Sequence, residues 1–372
     1  MKTDLASTIR YQLTRFLAAI QLVALTIFFA ANSTAATATY DGLFSEINGT
    51  NAVVNPLSSG FLTLSVRGSG SFSGKLLISD GTSGSGAKYP LSGQFDSEGK
   101  RTITISRKAG GPITVELQYA PAGQTNTITG QVYCTNWNAQ LLAYRAYSSQ
   151  PQAAGNYTVR FRPSDSGDGP DGVGTGKLLI SLAGNLTFSA KLPDGTTVSQ
   201  SVKLGVGGRW PLYVSVDKGH GSLLGWLEFS GSDSLSGEIG WTKPAMSSSK
   251  YYTLGFTTVT DLQGLSYIPR KSGSRPLNFS KGLVVFSGGA LDSPFTNIVT
   301  VNSKGGIHAN TSSALKLKIN PMTGLFLGTA ELPGIRGHAQ VSGAVFQVLN
   351  QGYGYFLANG QSGAVLIYGD YQ

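Results

Sequence analysis

The 372-residue sequence predicts an all-β protein: consecutive antiparallel meander barrels or barrel-like sandwiches built from internal repeats, preceded by an N-terminal signal peptide. Three observations predict it. Several segments alternate apolar and polar residues at period two, the mark of half-buried antiparallel strands. Between them fall turn signals such as Asp80-Gly81, Glu98-Gly99, Gly110-Gly111, Asp194-Gly195, Gly207-Gly208 and Gly305-Gly306, which supply the positive φ angles that tight hairpins need. Finally, the chain holds 50 Gly, 13% charged residues and 10% aromatics. Against usual shares of about 7% Gly and about 25% charged residues, that composition excludes a coiled coil, and the aromatics argue against disorder.

Taken in order, residues 1–15 carry Lys2, Arg10 and Arg15 against one acid, Asp4. Residues 16–31 are apolar except for Gln21 and Thr26. That run is short for a spanning helix, which needs roughly 20 apolar residues, and suits a signal-peptide core. Ala36-Thr37-Ala38 then fits a small-residue cleavage site, so residues 1–38 are expected to be a signal peptide cut after Ala38. An uncleaved anchor is the alternative.

The body divides into three related units at 39–150, 151–270 and 271–372, with boundaries in Ser148-Ser149-Gln150-Pro151 and Pro269-Arg270-Lys271-Ser272-Gly273. In the first, Ile113, Val115, Leu117 and Tyr119 share one face and Thr114, Glu116 and Gln118 the other. In the second, Tyr157, Val159 and Phe161 oppose Thr158, Arg160 and Arg162. Leu223, Leu227 and Phe229 likewise oppose Ser222, Glu228 and Ser230. In the third, Leu315, Leu317 and Ile319 oppose Lys316, Lys318 and Asn320. The stretch 138–147 is read as a strand rather than a helical turn, and no window past residue 38 carries a helical stripe.

The repeats are visible in text. Gly60-Phe61-Leu62-Thr63-Leu64 matches Gly176-Lys177-Leu178-Leu179-Ile180. Ser71-Phe72-Ser73-Gly74-Lys75-Leu76 matches Thr187-Phe188-Ser189-Ala190-Lys191-Leu192 at the same offset. Gly130-Gln131-Val132 with Trp137 resembles Gly237-Glu238-Ile239 with Trp241. A fainter third copy runs from Leu315-Lys316-Leu317 into Thr323-Gly324-Leu325-Phe326-Leu327-Gly328. Because an open sheet edge invites aggregation, such meanders tend to close. A variant has neighbouring units sharing strands, so that three repeats make two barrels.

The formal charge of +9 is scattered. A nucleic-acid footprint would be clustered, so no nucleic-acid partner is expected, and a membrane is met only through export. Cys134 is the one cysteine, so no intrachain disulfide forms and stability must come from core burial. Cys134 reads as a small buried hydrophobe.

Candidate chemistry is sparse. Asp165, Asp168 and Asp171 lie in a Gly-rich loop and could hold Ca²⁺ through oxygen ligands, although their spacing is not that of an EF-hand and a solvated loop is the plainer reading. No other cofactor is expected. His220, His308 and His338 sit beside glycines without neighbouring ligands and read as turn residues. Gly172-Val173-Gly174-Thr175-Gly176 precedes no helix, so it is not a phosphate cradle. No nucleophile has an oriented base in the text, which argues against an enzyme. Trp226, Trp210 and Tyr213 are candidate ligand-binding residues. Trp226 shares the parity of Ser222 and Glu228 and so points outward, as a stacking platform for a glycan or protein would, while core filling is the competing reading for these aromatics.

Certain strings resemble a family of exported bacterial β-rich repeat proteins of uncharacterised function. They are Leu192-Pro193-Asp194-Gly195-Thr196 (the family's L-A-D-G-T, with Pro193 in place of Ala), Trp210-Pro211-Leu212-Tyr213, Gly221-Ser222-Leu223-Leu224-Gly225-Trp226-Leu227 and Trp241-Thr242-Lys243-Pro244. The resemblance implies a β-rich envelope protein and carries over no functional residue. The expected function is thus that of a non-enzymatic exported β-repeat protein, extracellular, surface-bound or periplasmic, with a structural, adhesive or ligand-binding role and a glycan or cell-surface protein as partner. The alternative is a carbohydrate-binding module using exposed aromatics. An outer-membrane barrel is disfavoured because the strands read as about six to eight residues where spanning strands need roughly 9–11, and a hydrolase by the poverty of His and acids.

Overall fold

The computed structural model describes residues 37–46 and 54–370, apart from 82, 85, 108–109, 121–125, 150, 164–166, 168, 272–273 and 311–313. The expected signal peptide therefore lies almost wholly outside the described residues.

Three eight-stranded antiparallel sheets follow one another along the chain. The first comprises β1 (Ala38–Ser45), β2 (Gly60–Val66), β3 (Ser71–Ile78), β4 (Ala87–Gln94), β5 (Lys100–Ile105), β6 (Ile113–Tyr119), β7 (Thr127–Cys134) and β8 (Trp137–Arg145). The second comprises β9 (Gly155–Phe161), β10 (Gly174–Ile180), β11 (Asn185–Lys191), β12 (Thr197–Lys203), β13 (Arg209–Val216), β14 (Gly221–Ser230), β15 (Ser234–Lys243) and β16 (Phe256–Ser266). The third comprises β17 (Lys281–Ser287), β18 (Phe295–Val301), β19 (Gly306–Ala309), β20 (Leu315–Ile319), β21 (Leu325–Ala330), β22 (Ala339–Phe346), β23 (Gln351–Ala358) and β24 (Gln361–Gly369). Each sheet takes its strands from one continuous stretch, so none is shared between units and the two-barrel variant is not the one adopted.

In every unit the first strand pairs with the last, and strands adjacent in sequence pair except at one place in each of the first two units. The third unit closes completely, whereas the first two stay open between their fourth and fifth strands, β4/β5 and β12/β13. The second opening has a local cause. Pro211 in β13 has no N–H to give to a ladder, which confines proline to strand edges. A side chain spans the gap instead: Gln200 of β12 donates from Nε2 to the Pro211 carbonyl at 2.9 Å and accepts at Oε1 from the Trp210 indole at 2.8 Å. Pro90 likewise occupies the edge strand β4.

The text repeats between the first two units map onto equivalent strands, β2 with β10 and β3 with β11. The third copy does not, because Leu315-Lys316-Leu317 and Leu325-Phe326-Leu327 form the fourth and fifth strands of their unit rather than the second and third. The match reflects a common hairpin pattern, not a common position.

The apolar period-two faces turn inward, except that Tyr119 is half-buried, and Thr158 and Ser222 of the expected water faces are buried as well. Ile113, Val115, Leu117, Tyr157, Val159, Phe161, Leu223, Leu227, Phe229, Leu315, Leu317 and Ile319 are all buried, and a separate apolar cluster fills each unit. Glycine inside strands has a packing role. Phe326 pairs directly with Gly343 and Phe356 with Gly363, and a Cβ at either glycine would come within 2.1 and 2.3 Å of the facing ring. Each ring lies over bare backbone, a device that lets small sheets curve. β14 and β15 have 10 residues and β16 has 11, so strand length alone does not disfavour a membrane barrel. The faces do: interiors are apolar and outer walls carry residues such as Lys177, Lys316 and Lys318, the reverse of a spanning barrel.

The units are docked on one another. Between the first two, Leu43, Val54, Phe61, Tyr213 and Leu224 form a satellite cluster, Tyr147 N–H donates to the Leu204 carbonyl at 2.9 Å, and the Thr242 hydroxyl donates to Val54 O at 2.9 Å. Between the last two, the Thr158 hydroxyl donates to Val345 O at 2.9 Å, and the Arg160 guanidinium stands 4.2 Å from the centroid of the Tyr353 ring.

Candidate functional site: a basic cleft between the first two barrels

The cleft follows from strand register. Tyr40 and Phe44 of β1 face the core, so Thr39, Asp41 and Leu43 face outward. Asp41 pairs across to Thr63 of β2, Thr63 to Lys75 of β3, and the next outward position, Leu77, to Lys88 of β4. That places Asp41, Thr63, Lys75 and Lys88 on one outer wall of the first barrel. The second barrel meets this wall with the outer faces of β11, β12 and β13, adding Asn185, Thr187, Ser199, Ser201, Lys203 and Ser215. Below the meeting line, Leu43 and Phe61 pack under Tyr213 and Leu224. Above it the walls part and leave a cleft of about 750 Å³, within the roughly 300–1,000 Å³ typical of ligand sites.

The charge in this cleft is lopsided. Lys75 and Lys88 are exposed and Lys203 is half-buried. The single acid among the lining residues, Asp41, is buried, with Oδ2 accepting the Lys203 backbone N–H at 3.2 Å. Burial pushes its carboxyl above the ordinary range, and the opposing pull of Thr63, Lys203 and Lys75 does not offset this. Burial disfavours the charged carboxylate, while the three ammonium groups remain. The polar remainder of the wall is hydroxyls and two amides, Asn185 and Gln200. The cleft has no His, no Cys and no second carboxylate among its described lining residues. It is equipped to hold an anion.

The sequence-predicted aromatics belong to the framework of this region and not to an open platform. Trp210 is 0% exposed, lies edge-on to Phe188 with centroids 5.1 Å apart, and fills the second core. Tyr213 is 5% exposed and its hydroxyl meets Ser79 Oγ at 2.9 Å. Trp226 does point away from its own core, as its parity required, but the space outside is taken: it stands half-buried, edge-on to Tyr144 of β8 at 5.2 Å. Of the proposed calcium ligands, Asp165 and Asp168 lie outside the described residues. Asp171 accepts the Gly289 N–H at 2.8 Å and so ties the second unit to the third. Cys134 is half-buried at the end of β7 rather than fully buried.

Sequence reasoning missed an ion cluster within the second unit. Lys243 Nζ donates to Asp194 Oδ2 at 3.0 Å and to Asp217 Oδ1 at 2.9 Å, and the side chains are 4%, 1% and 9% exposed. Asp194 also accepts from the Thr196 N–H and hydroxyl at 2.9 and 2.8 Å, whereas Asp217 Oδ2 is buried without a partner. Burial opposes the Lys243 charge, but its bonds and charge pairing with both carboxylates leave its pKa raised. Burial also raises that of Asp217, against the pull of Lys243. The two directions are compatible, because one cation is divided between two acids and Asp217 is the less satisfied. Asp194 and Lys243 come from the Leu-Pro-Asp-Gly-Thr and Trp-Thr-Lys-Pro strings, which meet in this ion cluster.

No family model and no curated protein matches this chain. Among solved structures, intact Ap-TbpB (N and C lobes) aligns over 90% of this chain and 77% of its own, at 10% identity and a TM-score of 0.22. The isotype 1 transferrin binding protein B from serogroup B Neisseria meningitidis covers 90% of this chain and 75% of its own, at 11% identity and 0.20. A protein of unknown function of the DUF3598 family from Nostoc punctiforme covers 62% of this chain and 95% of its own, at 12% identity and 0.21. Likenesses this distant say nothing of what this chain binds.

Proposed function

We propose that this chain is a non-enzymatic, exported binding protein of the cell envelope or surface, and that its cleft between the first two barrels takes an anionic, hydroxyl-bearing ligand such as a segment of acidic polysaccharide. One observation carries the reading: Lys75, Lys88 and Lys203 line one cleft with a row of hydroxyls and a single buried carboxylate. Three ammonium groups attract carboxylates or sulfates, and the Ser and Thr hydroxyls suit sugar hydroxyls. The resemblance to exported β-repeat modules is in keeping with such a location.

The test is calorimetric titration of the chain with uronic-acid and neutral oligosaccharides of equal length, repeated with Lys75→Gln/Lys88→Gln/Lys203→Gln. Solvated ion pairs contribute about 0.2–1 kcal/mol each, so the triple variant should lose roughly threefold to 100-fold in affinity, and added salt should weaken the parent. Equal binding of the neutral sugar, or a variant that binds as well as the parent, sinks the proposal.

A second reading has one observation in its favour. Trp137 is half-buried and lines a hollow of about 530 Å³ with Tyr133, Glu116, Gln131 and Asn138. An aromatic ledge beside a carboxylate and two amides is a sugar-stacking arrangement. If neutral glycans bind and Trp137→Ala removes that binding while the lysine variant does not, this hollow is the site.

A further inference from the structure

At one end of the third barrel, three segments that are distant in sequence are stitched into one surface. Ile268 N–H donates to Gln347 Oε1 at 2.9 Å, and Gln347 Nε2 returns a bond to Ile268 O at 3.1 Å. Arg270 N–H and the Tyr267 hydroxyl both donate to Pro321 O, at 2.9 and 2.7 Å. Asn278 N–H donates to Asn350 Oδ1 at 2.7 Å. These bonds satisfy the backbone and turn apolar side chains out to water: Ile268 is 69% exposed, Met322 58%, Val348 67% and Leu349 39%. Folding leaves few apolar groups this exposed without a partner surface, and a local concentration of them marks an interaction site.

The charge of this end points to the partner. Arg270, Lys271 and Arg275 are exposed in the segment that leads into β17, and Lys304 sits in the turn between β18 and β19 at the same end. The segments 267–271, 274–280, 302–305, 320–324 and 347–350 hold no Asp or Glu. Asp233 and Asp370 stand only at the margin, placed by bonds of Ser266 N–H to Asp233 O and Asp370 N–H to Lys281 O. The exposed apolar groups sit on turns; the aromatics beside them, Tyr267 and Phe346, are buried, and Phe279 packs half-buried against the third core. A protein–protein hot spot is instead a packed patch rich in aromatics and poor in charge at its centre. Separate apolar tips among cations fit a soft interface, into which each tip can sink while the cations stay at headgroup level.

We propose that this end of the third barrel docks on an anionic lipid surface, with Ile268, Met322 and Val348 entering the headgroup boundary and Arg270, Lys271, Arg275 and Lys304 supplying the attraction. The surface lies in a different barrel from the basic cleft and does not depend on what the cleft binds.

The test is made on the full chain with Cys134→Ser and Met322→Cys, the new thiol carrying an environment-sensitive fluorophore. A second labelled chain, with Leu254→Cys in place of Met322→Cys, places the probe on a 90% exposed residue away from this end. Phosphatidylglycerol vesicles should shift the Met322→Cys probe to the blue and expose it to a lipid-borne quencher, leaving the Leu254→Cys probe unchanged, even if another segment also holds the chain to the membrane. Phosphatidylcholine vesicles should give no shift. Adding Arg270→Gln/Lys271→Gln should raise the lipid needed for half the shift by about tenfold or more, because each basic residue near an anionic surface contributes roughly a fivefold gain in partition. No blue shift with phosphatidylglycerol, an equal shift with neutral lipid, or a shift produced only by an added protein would overturn the proposal.

Discussion

Replacing Lys243 with Met tests whether the ion cluster in the second unit holds it together. The parent lysine is shared by two carboxylates at 3.0 and 2.9 Å, all with side chains at most 9% exposed. Methionine nearly fills the volume but leaves Asp194 and Asp217 as two buried acids with no cation. Breaking a buried pair by removing one partner typically costs about 3–5 kcal/mol. For a unit of this size about 4 °C is lost per kcal/mol, so the melting temperature should fall by at least ~12 °C. Tryptophan fluorescence is a suitable probe, because three of the four tryptophans, Trp210, Trp226 and Trp241, lie in this unit and the third unit has none. The decisive comparison adds Asp194→Asn and Asp217→Asn to Lys243→Met. With no uncompensated charge left, much of the stability should return, since a buried ion cluster is often worth little more than neutral groups in its place. A single variant that loses less than about 1 kcal/mol, or a triple variant no better than the single, would refute the reasoning.

Three further outcomes are expected. Gln200→Ala leaves the Trp210 indole N–H and the Pro211 carbonyl at the open edge without their partner, and buried groups left unsatisfied cost about 1–3 kcal/mol each; urea unfolding followed by tryptophan emission should show a lower midpoint. Asp41→Asn should stabilise the chain at neutral pH. The carboxyl's folded pKa is raised by burial, so its favourable contribution is present at low pH and is lost as pH rises through the raised value. The advantage of Asn, read by thermal melts across pH, should shrink toward and vanish below the ordinary value of 3.8. Gly343→Ala places a methyl 2.1 Å from Phe326 Cζ, overpacking that costs about 1–3 kcal/mol. Its effect should be confined to the third unit and visible in hydrogen exchange of β21 and β22.

The sequence was most informative where a signal repeats every two residues. The alternation at Ile113, Val115 and Leu117, or at Leu315, Leu317 and Ile319, has one physical solution, a strand with one face on a core. Parity also gave the correct direction for Trp226. What parity does not encode is what stands on the outer side, and there the second unit's Trp226 meets the first unit's Tyr144. A trace of the docking surface existed in Leu43 beside Phe44, Phe61 beside Leu62 and Leu224 beside Leu223, where both strand faces are apolar. The basic cleft had no local trace. Lys75, Lys88 and Lys203 are ordinary outward-facing lysines in two different sheets, and only docking makes them neighbours. The incomplete closure of the first two sheets was likewise hidden, apart from Pro90 and Pro211 in edge strands.

In each barrel the first strand is hydrogen-bonded to the last: Tyr40 lies across from Arg145, Tyr157 from Ser266 and Gly282 from Gly369. The polypeptide therefore enters and leaves every module at nearly the same spot. Such a bead can be duplicated or excised genetically without rerouting the backbone around it, a simple route from one ancestral domain to a string of three. The same arrangement sets the response to tension. Pulling on the two ends of a bead peels the terminal strands apart one hydrogen bond at a time instead of shearing them together, so each bead should open at low force and act as an extensible link.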